Sequence, residues 1–297
     1  MPHAPTFTIV VPTHERPAQL RNCLQAIARL NYPRDRIDVV VVDDGSRQAP
    51  AGEVEEARRA LRIDLVTQAN AGPGVARNTG AARASGKYVA FLGDDCEPAA
   101  DWLHALAARL SRAPDCLVGG RIVNALARNP YSSASDQLIS YLYRHYNGDP
   151  ERARFLTPNN MAMRRSALEE VGGFEPEMGA TGEDRELCDR WLHRGHRIVH
   201  APEAIVYHSH PLTMGSFWQQ QVDYGRGTYR YRARQRQPRP GTLMPERLSF
   251  YVNLVLFPFS QRTGARAWQE AWLLGVSQVA TAAGFFREAL RTARSRQ

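Results

Sequence analysis

The stretch KYVAFLGDDCEP (residues 87–98) places three acidic residues directly after an apolar segment. Residues 88–92 have the composition of a buried strand, and Asp94, Asp95 and Glu97 follow it at once. Because like charges this close repel each other and lose solvation, such a cluster usually has a positive partner. Two interpretations are open at this point: the strand ends in a solvated turn, or the carboxylate oxygens hold a metal ion.

Three earlier segments share this apolar character, and a stretch long enough for a helix separates each from the next. They are FTIVV (7–11), IDVVVV (37–42) and IDLV (63–66). Runs without polar alternation are typical of strands covered on both faces, so the sequence predicts an α/β fold with a mainly parallel, doubly wound sheet. Ligands bind beyond the carboxyl ends of such strands. Polar loops follow the four strands at 12–17, 43–46, 68–74 and 93–98, and we expect these loops to converge on one site.

The composition is that of an ordered protein with a sizeable core. The chain has 297 residues, 43% of them hydrophobic, which suffices for one large α/β domain or two smaller ones and excludes a disordered chain. Its formal net charge is +8, carried almost entirely by arginine because Lys87 is the only lysine, and this suits phosphate-rich partners or anionic surfaces. The four cysteines show no CxxC spacing, so we expect buried thiols in a reducing compartment; they are Cys23, Cys96, Cys116 and Cys188.

The chain divides into a long α/β part and a helical end. We expect a first domain over 1–228, with a nucleotide-binding half at 1–100 and an acceptor half at 101–228. An arginine- and proline-rich linker follows at 229–247, and a helical C-terminal extension at 248–297. The N-terminus lacks the cationic region of a signal peptide, which predicts a cytoplasmic location, with peripheral attachment to the cytoplasmic face of the membrane left open.

The C-terminal extension carries an apolar stripe at helical spacing. The stripe consists of Trp268, Trp272, Val276, Val279, Ala283, Phe286 and Leu290. Polar residues interrupt every run before it reaches the ~18 apolar residues that a membrane span needs. The stripe favours a helix packed on its own domain or on a partner. Attachment to an anionic membrane is the alternative, because five arginines flank it: Arg262, Arg266, Arg287, Arg291 and Arg294.

The segment NAGPGVARNTG (70–80) has the features of an anion-binding turn. Gly72, Pro73 and Gly74 predict a tight turn that opens a helix, whose free N–H groups would face an anion. Arg77 adds positive charge one turn later. Because the segment lacks both GxGxxG and GxxxxGK[ST], it is neither a standard dinucleotide cradle nor a P-loop.

A second acidic segment, GATGEDRELCDRWLHRG (179–195), begins a predicted helix at Thr181 and Gly182. Asp184 lies on the same helix face as the apolar residues that follow it. Glu183 and Asp184 could serve only to complement the helix dipole. The alternative is that the glycine-rich approach aims Asp184 into a cleft, where a partly desolvated carboxylate makes a good general base.

A third segment, AIVYHSH (204–210), has two histidines at its C-terminal end. His208 and His210 are two positions apart, so both would face one site if the strand continued that far. Carboxylates combined with imidazole suit Mn²⁺ or Mg²⁺, and no Cys/His spacing typical of a structural zinc site is present.

Taken in order, these segments resemble those of family 2 glycosyltransferases with the GT-A fold, a Rossmann-like mostly parallel sheet flanked by helices. The resemblance covers residues 6–215 and rests on VVPTHERPAQL, IDVVVVDDGS, NAGPGVARNTG, GKYVAFLGDDCEP, NNMAMRRSALEEVGGF and GEDRELCDRW. It implies transfer of a sugar from a nucleoside-diphosphate donor to an acceptor hydroxyl, with inversion at the anomeric carbon.

The resemblance also implies roles for residues of the nucleotide-binding half. Pro12, Thr13 and Glu15 match the first nucleotide-binding loop, Asp44 matches the acid that reads the base, and Arg77 matches a contact to base or phosphate.

The same resemblance assigns the metal and the base. Asp94 would meet the ribose or the metal, Asp95 would ligate Mn²⁺ or Mg²⁺, and His208 would be a third ligand, with His210 the less favoured choice. Asp184 matches the catalytic base of the family's ED motif.

One departure from the family pattern keeps alternatives open. Gly93 stands where the first acid of a DxD motif is common, which leaves metal affinity in question. A non-catalytic nucleotide-sugar binding protein therefore remains an alternative. A metal-dependent nucleotidyltransferase that releases pyrophosphate is a second alternative, because it would also use paired acids and a metal on a similar α/β scaffold. The acceptor class (glycan, lipid-linked or small molecule) and a homodimer are also left open. We expect no nucleic-acid partner, because the basic segment 216–237 contains no recognised binding module.

Overall fold

The computed structural model describes residues 4–235 and 246–294, and its centre is an eight-stranded sheet in the order β3-β2-β1-β4-β7-β6-β8-β5. The strands are β1 (Phe7–Thr13), β2 (Ile37–Asp43), β3 (Ile63–Thr67), β4 (Tyr88–Leu92), β5 (Cys96–Pro98), β6 (Leu117–Asn124), β7 (Asn160–Arg164) and β8 (Ile198–His208).

Helices cover both faces of this sheet and continue beyond it. They are α1 (Pro17–Ile27), α2 (Ala51–Ala57), α3 (Pro73–Ala82), α4 (Trp102–Arg112), α5 (Pro130–Tyr146), α6 (Arg165–Val171), α7 (Glu183–His193), α8 (Met214–Arg234), α9 (Leu248–Leu256), α10 (Pro258–Gln261) and α11 (Ala265–Arg294). Short 3₁₀ turns occupy Arg34–Arg36, Pro150–Arg152 and Pro176–Met178.

The four strands predicted in the first hundred residues are present and parallel. In β1, Val10 lies in register with Val40 of β2 and with Phe91 of β4. Val10 and Phe91 belong to the core on one face of the sheet, whereas Ile9 and Val41 belong to the core on the other. Burial on both faces is the physical reason for the uninterrupted apolar runs. The four cysteines are buried and free, as predicted.

The second half of the sheet is mixed. Strand β7 pairs antiparallel with both β4 and β6, and β5 pairs antiparallel with β8. Asn160 begins β7. Its side-chain amide donates to the carbonyls of Arg121 and Ala204, so it holds neighbouring chain segments together inside the protein.

The C-terminal helices correct the predicted start of the linker and show which face of α11 packs on the domain. Helix α8 continues to Arg234, past the predicted start of the linker at residue 229, and residues 236–245 of that linker lie outside the described residues. The stripe on α11 does not pack on the domain, because Trp268 and Trp272 are exposed while the opposite face of α11 packs on α8. Among the described helices, none combines the length and the apolar composition required to cross a membrane.

The contact between α8 and α11 is close enough to exclude side chains. A Cβ at Gly284 would lie 1.9 Å from the carbonyl oxygen of Val222, and a Cβ at Gly225 would lie 1.9 Å from that of Thr281. The two helix backbones therefore touch at this crossing, and a side chain there requires the helices to separate.

Replacing Gly284 with alanine is expected to lower the free energy of unfolding by about 1–3 kcal/mol or more. Overpacking usually costs this much, and here the new methyl group meets the backbone of Val222, which cannot rotate away as a side chain could. The control is Gly275→Ala on the same helix, where a Cβ meets nothing within 4 Å. That change should be neutral or stabilise by up to ~1 kcal/mol through helix propensity. Urea denaturation of both variants measures the difference, and equal stabilities would contradict the tight crossing.

Candidate active site

The loops after the parallel strands line one cavity of about 730 Å³. The predicted site residues that line it are Pro12, Thr13, Asp44, Arg77, Asp94, Asp95, Asp184, His208 and His210. Glu15 is the exception. Its carboxylate accepts a hydrogen bond from the backbone N–H of Arg47 (2.8 Å) and its own N–H donates to Ser46 Oγ (2.9 Å), so it ties the β1 loop to the β2 loop.

Asp95 contacts two histidine rings that stack on each other. Its Oδ1 is 3.2 Å from His208 Nε2, its Oδ2 is 3.2 Å from His210 Nδ1, and the two ring centres are 5.4 Å apart. Strand β8 ends at His208, but the Ser209 N–H donates to the Asp95 carbonyl (2.8 Å), which keeps the following residues beside the carboxylate. Burial raises the pKa of Asp95, but hydrogen bonds from both histidines outweigh it and hold that pKa well below its usual range.

A cation that sequence reasoning missed completes the acidic cluster. Arg16 Nη1 lies 3.3 Å from Asp94 Oδ1 and 3.1 Å from Asp95 Oδ2, and Thr13 Oγ1 donates to Asp94 Oδ2 at 2.8 Å. Burial and the charge of Asp95 raise the pKa of Asp94. Arg16 is therefore the positive partner that the repulsion between these acids required. Its position in the first polar loop, 12–17, is the one sequence feature that could have identified it.

The donor atoms at this cluster fit a divalent cation. Ligands at right angles around an ion with bonds near 2.1 Å are about 3 Å apart, which matches the 3.2 Å between Asp95 Oδ1 and His208 Nε2. Cys96 Sγ lies within the same 4.8 Å group, and burial raises the pKa of its thiol well above the usual range. The carboxylate and imidazole donors of this group suit Mn²⁺ or Mg²⁺.

The glycine at the first position of the acidic motif has a steric reason. A Cβ at Gly93 would lie 3.0 Å from Asp95 Oδ1 and 3.1 Å from Cys96 Sγ. An aspartate at this position would crowd the carboxylate that faces the histidines, so the departure from the DxD pattern is compatible with an intact cluster around Asp95.

Asp44 organises the loop that opens α3. Its Oδ1 accepts hydrogen bonds from the Ala71 N–H (2.9 Å) and Gln68 Nε2 (2.8 Å), and its Oδ2 accepts from the Gly72 N–H (2.9 Å). These bonds fix the tight turn before α3. Recognition of a nucleotide base by Asp44 remains a prediction.

Arg77 pairs with an acid of the second acidic segment. Its Nη1 lies 2.9 Å from Glu183 Oε1, both side chains are 7% exposed, and the guanidinium stacks over the Phe174 ring at 5.4 Å. The pair joins α3 to α7 across the sequence. A contact of Arg77 to base or phosphate stays a prediction, since in this structure the guanidinium is engaged with Glu183.

Arg77→Leu is expected to lower the free energy of unfolding by about 3–5 kcal/mol, because it leaves the buried Glu183 carboxylate without its partner. Arg83→Leu on the same helical segment is the matched control. Its ion pair with Asp64 spans 3.5 Å between side chains that are 58% and 50% exposed, so its loss should cost no more than about 1 kcal/mol. Chemical denaturation of both variants tests the assignment, and similar losses would contradict it.

Asp184 occupies the first turn of α7, after the left-handed Gly182 that caps the helix. Glu183 turns inward to Arg77, whereas Asp184 lines the cavity and is partly exposed. Burial raises the pKa of Asp184, and burial together with the Asp184 charge raises the pKa of Glu183 to about 7. A carboxylate with a raised pKa at the surface of a cavity can accept a proton from a bound hydroxyl group.

Two more cavity residues were absent from the sequence predictions. Asp136 of α5 lines the cavity, and burial raises its pKa to about 6. Tyr224 of α8 also lines it, and burial, followed by the charges of Asp184 and Glu183, raises the pKa of its hydroxyl. Neither residue follows a strand or belongs to a motif, so no sequence signal marked them.

Comparison with known families shows where the chain belongs. The model of glycosyl transferase family 2 matches residues 8–172, and that of glycosyl transferase family group 2 matches residues 117–286. The chain belongs to glycosyl transferase family 2.

Individual relatives agree with this assignment. The probable glycosyltransferase YdaM of Bacillus subtilis is 27% identical over 237 residues, which cover 76% of this chain and 56% of YdaM. An N-acetylglucosaminyltransferase of Mesorhizobium japonicum is 30% identical over 243 residues, covering 76% of this chain and 56% of that protein. The chain thus spans little more than half the length of these two relatives.

Solved structures share the fold at low sequence identity. The mannosyltransferase PcManGT from Pyrobaculum calidifontis, in complex with GDP-Man and Mn²⁺, aligns with a TM-score of 0.64 at 20% identity and covers 99% of this chain and 80% of its own. TarS 1–349 of S. aureus, in complex with UDP-GlcNAc, aligns with a TM-score of 0.56 at 18% identity and covers 97% and 92%. These likenesses confirm the predicted GT-A fold.

Proposed function

We propose that this protein is an inverting glycosyltransferase that moves a sugar from a nucleoside-diphosphate donor to an acceptor hydroxyl and requires a divalent cation. The observation that carries the proposal is the arrangement of side chains around one cavity. Asp95 and His208 lie close enough together to bind the same cation, and Asp184 lines the same cavity. Family membership supports sugar transfer, and the donors held by PcManGT and TarS support a nucleotide sugar.

Asp184 acts as the general base in this proposal. Its carboxylate takes the proton of the acceptor hydroxyl while the hydroxyl oxygen forms a bond to the anomeric carbon. The bond between that carbon and the diphosphate oxygen breaks at the same time, and the electron pair leaves with the nucleoside diphosphate. One displacement by one nucleophile inverts the anomeric configuration.

Asp95 and His208 hold the cation, with Asp94 beside them. When bound, Mn²⁺ or Mg²⁺ stabilises the negative charge that grows on the departing diphosphate. Thr13 and Arg16 keep Asp94 and Asp95 in place through their hydrogen bonds. Pro12, Asp44 and the turn before α3 border the cavity, where they would contact the nucleotide.

Product analysis and calorimetry together test this function. The protein is incubated with UDP-GlcNAc, UDP-glucose, GDP-mannose and dTDP-glucose in the presence of hydroxyl acceptors, with Mn²⁺ or with EDTA, and the phosphate products are identified. We expect one nucleoside diphosphate to be released only with metal, and the same nucleotide to bind more tightly with Mn²⁺ in calorimetry. In a separate incubation with nucleoside triphosphates and sugar 1-phosphates, release of pyrophosphate would show a nucleotidyltransferase instead. Binding of the nucleotide sugars without turnover in the presence of acceptors would show a binding protein.

A further inference from the structure

The outer face of α11 is apolar along its whole length. Trp268, Trp272, Val279, Phe286 and Leu290 are between 62% and 70% exposed. By the 3.6-residue period these five side chains fall within about 40° of each other around the helix axis. The opposite face packs on α8, so the exposed stripe is the side of α11 that faces away from the protein. An apolar patch this long exceeds what isolated surface residues produce and marks an interaction site.

Helix α9 extends the same surface. Leu248, Val252 and Leu256 follow one another at four-residue spacing and are 79%, 48% and 53% exposed. The Phe259 ring, one residue into α10, meets the Trp268 ring edge-on at 4.9 Å between centres. This aromatic contact joins α10 to the exposed stripe of α11, and α9 packs on both of these helices. We call the exposed apolar residues of α9, α10 and α11 together the α9–α11 face.

The exposed charged side chains between residues 247 and 294 are all positive. Between residues 247 and 294 the only carboxylates are Glu270 and Glu288, and both are 1% exposed. Glu270 is paired with Arg262 at 3.2 Å and Glu288 with Arg230 at 2.9 Å, so both acids are neutralised against the protein.

Exposed arginines remain at the C-terminal end of the face. Arg287, Arg291 and Arg294 are exposed, and by the helical period Arg287 and Arg294 lie about 80° to 100° around the axis from Phe286, at the margin of the stripe. Exposed tryptophan and phenylalanine bordered by arginine are typical of helices that lie in the surface of an anionic membrane. A second copy would bring another cationic face without acids, so the charge does not complement itself.

We propose that the α9–α11 face docks on the surface of an anionic phospholipid bilayer, with α11 lying in the plane of the surface. The apolar stripe enters the boundary between headgroups and acyl chains, and the marginal arginines meet lipid phosphates. The same helices wall the cavity through Leu254, Gln278 and Thr281. Docking therefore holds the cavity about one helix diameter, ~10 Å, from the lipid. This inference goes beyond sugar transfer and does not depend on it.

Vesicle flotation with the full chain tests the proposal. Vesicles of phosphatidylcholine are compared with vesicles that also contain phosphatidylglycerol, at low and high salt. We expect binding to the anionic vesicles that weakens as salt rises. The paired substitution W268S with W272S should lower binding at least about tenfold through lost apolar burial. R287Q with R294Q should lower it roughly 25-fold, at about fivefold for each arginine.

Two controls separate docking from misfolding and from general charge. R58Q with R59Q removes two exposed arginines at the end of α2, which packs on α1 and β3, and should leave binding within about twofold because the charges lie outside the face. Thermal unfolding and release of nucleoside diphosphate, measured for each variant, report the fold and the proposed activity separately. The proposal is overturned if the wild-type protein does not bind anionic vesicles, or if the face variants bind like wild type. It is also overturned if the wild-type protein does not bind vesicles but sediments as a dimer, and W268S with W272S converts that dimer to monomers.

Discussion

Asp184→Asn is expected to lower kcat by about 10²- to 10⁴-fold, the range associated with loss of a general base. The amide keeps the shape of the side chain but cannot take the proton of the attacking hydroxyl. Donor binding should persist, because the cation and nucleotide contacts proposed here come from other residues. Steady-state kinetics give kcat, and calorimetry with the nucleoside diphosphate gives donor affinity.

The matched control for this prediction is Glu186→Gln on the same helix. Glu186 pairs with Arg190 and does not line the cavity, so its substitution should leave kcat within about twofold, as for an ordinary partly exposed ion pair. Wild-type turnover in Asp184→Asn would remove Asp184 from the mechanism. A loss of activity in both variants would indicate damage to α7 instead of loss of a base.

The pH dependence of kcat is a second test of whether Asp184 is the general base. Burial raises the pKa of Asp184 above its ordinary value, so the folded enzyme keeps this proton at a pH where a free aspartate has lost it. A general base must be ionised, and kcat should therefore fall with decreasing pH well before the ~3.9 of an unperturbed aspartate. A kcat that stays constant down to about pH 4 would be inconsistent with Asp184 as the base.

Asp95→Asn should abolish metal-dependent donor binding. Loss of an outer-shell partner typically costs 10- to 100-fold in metal affinity, so loss of a charged ligand should cost at least about 100-fold. The substitution also removes the acceptor charge that orients the His208 and His210 rings. Titration of Mn²⁺ into the protein with saturating nucleotide measures the affinity.

Glu97→Gln is the appropriate comparison because it removes the third acid of the same cluster. Glu97 lies on β5, is 38% exposed and sits 4.0 Å from Arg29, and it does not line the cavity. Its replacement should leave Mn²⁺ affinity within about twofold. If Asp95→Asn retains the affinity of wild type, the cation site proposed at Asp95 and His208 is wrong.

Residue types alone predicted the sheet and the edge where the site lies. Uninterrupted β-branched runs indicate strands covered on both faces, and β1, β2, β3 and β4 form within one or two residues of the predicted bounds. Polar loops after parallel strands must meet at one edge, and they do. The particular roles of Asp184 and His208 came from the ordered resemblance to a family and remain predictions.

Pairings between distant segments were beyond sequence reasoning. Arg77 and Glu183 are far apart in the chain, and neither residue type names the other as its partner. Arg16 likewise sits in a loop with several polar residues, and only the approach of β1 to β4 brings it to Asp94 and Asp95. Such contacts depend on how the elements pack, which local spacing does not encode.

Helix α11 shows most clearly what the sequence determines and what only the tertiary structure decides. Its sequence determined a long helix with an apolar stripe, since helical spacing depends only on neighbours along the chain. The tertiary structure decided that the stripe faces outward. The opposite face carries Ser277 and Gly284, and small residues let the backbones of α8 and α11 touch, whereas tryptophans at the crossing would hold the helices apart.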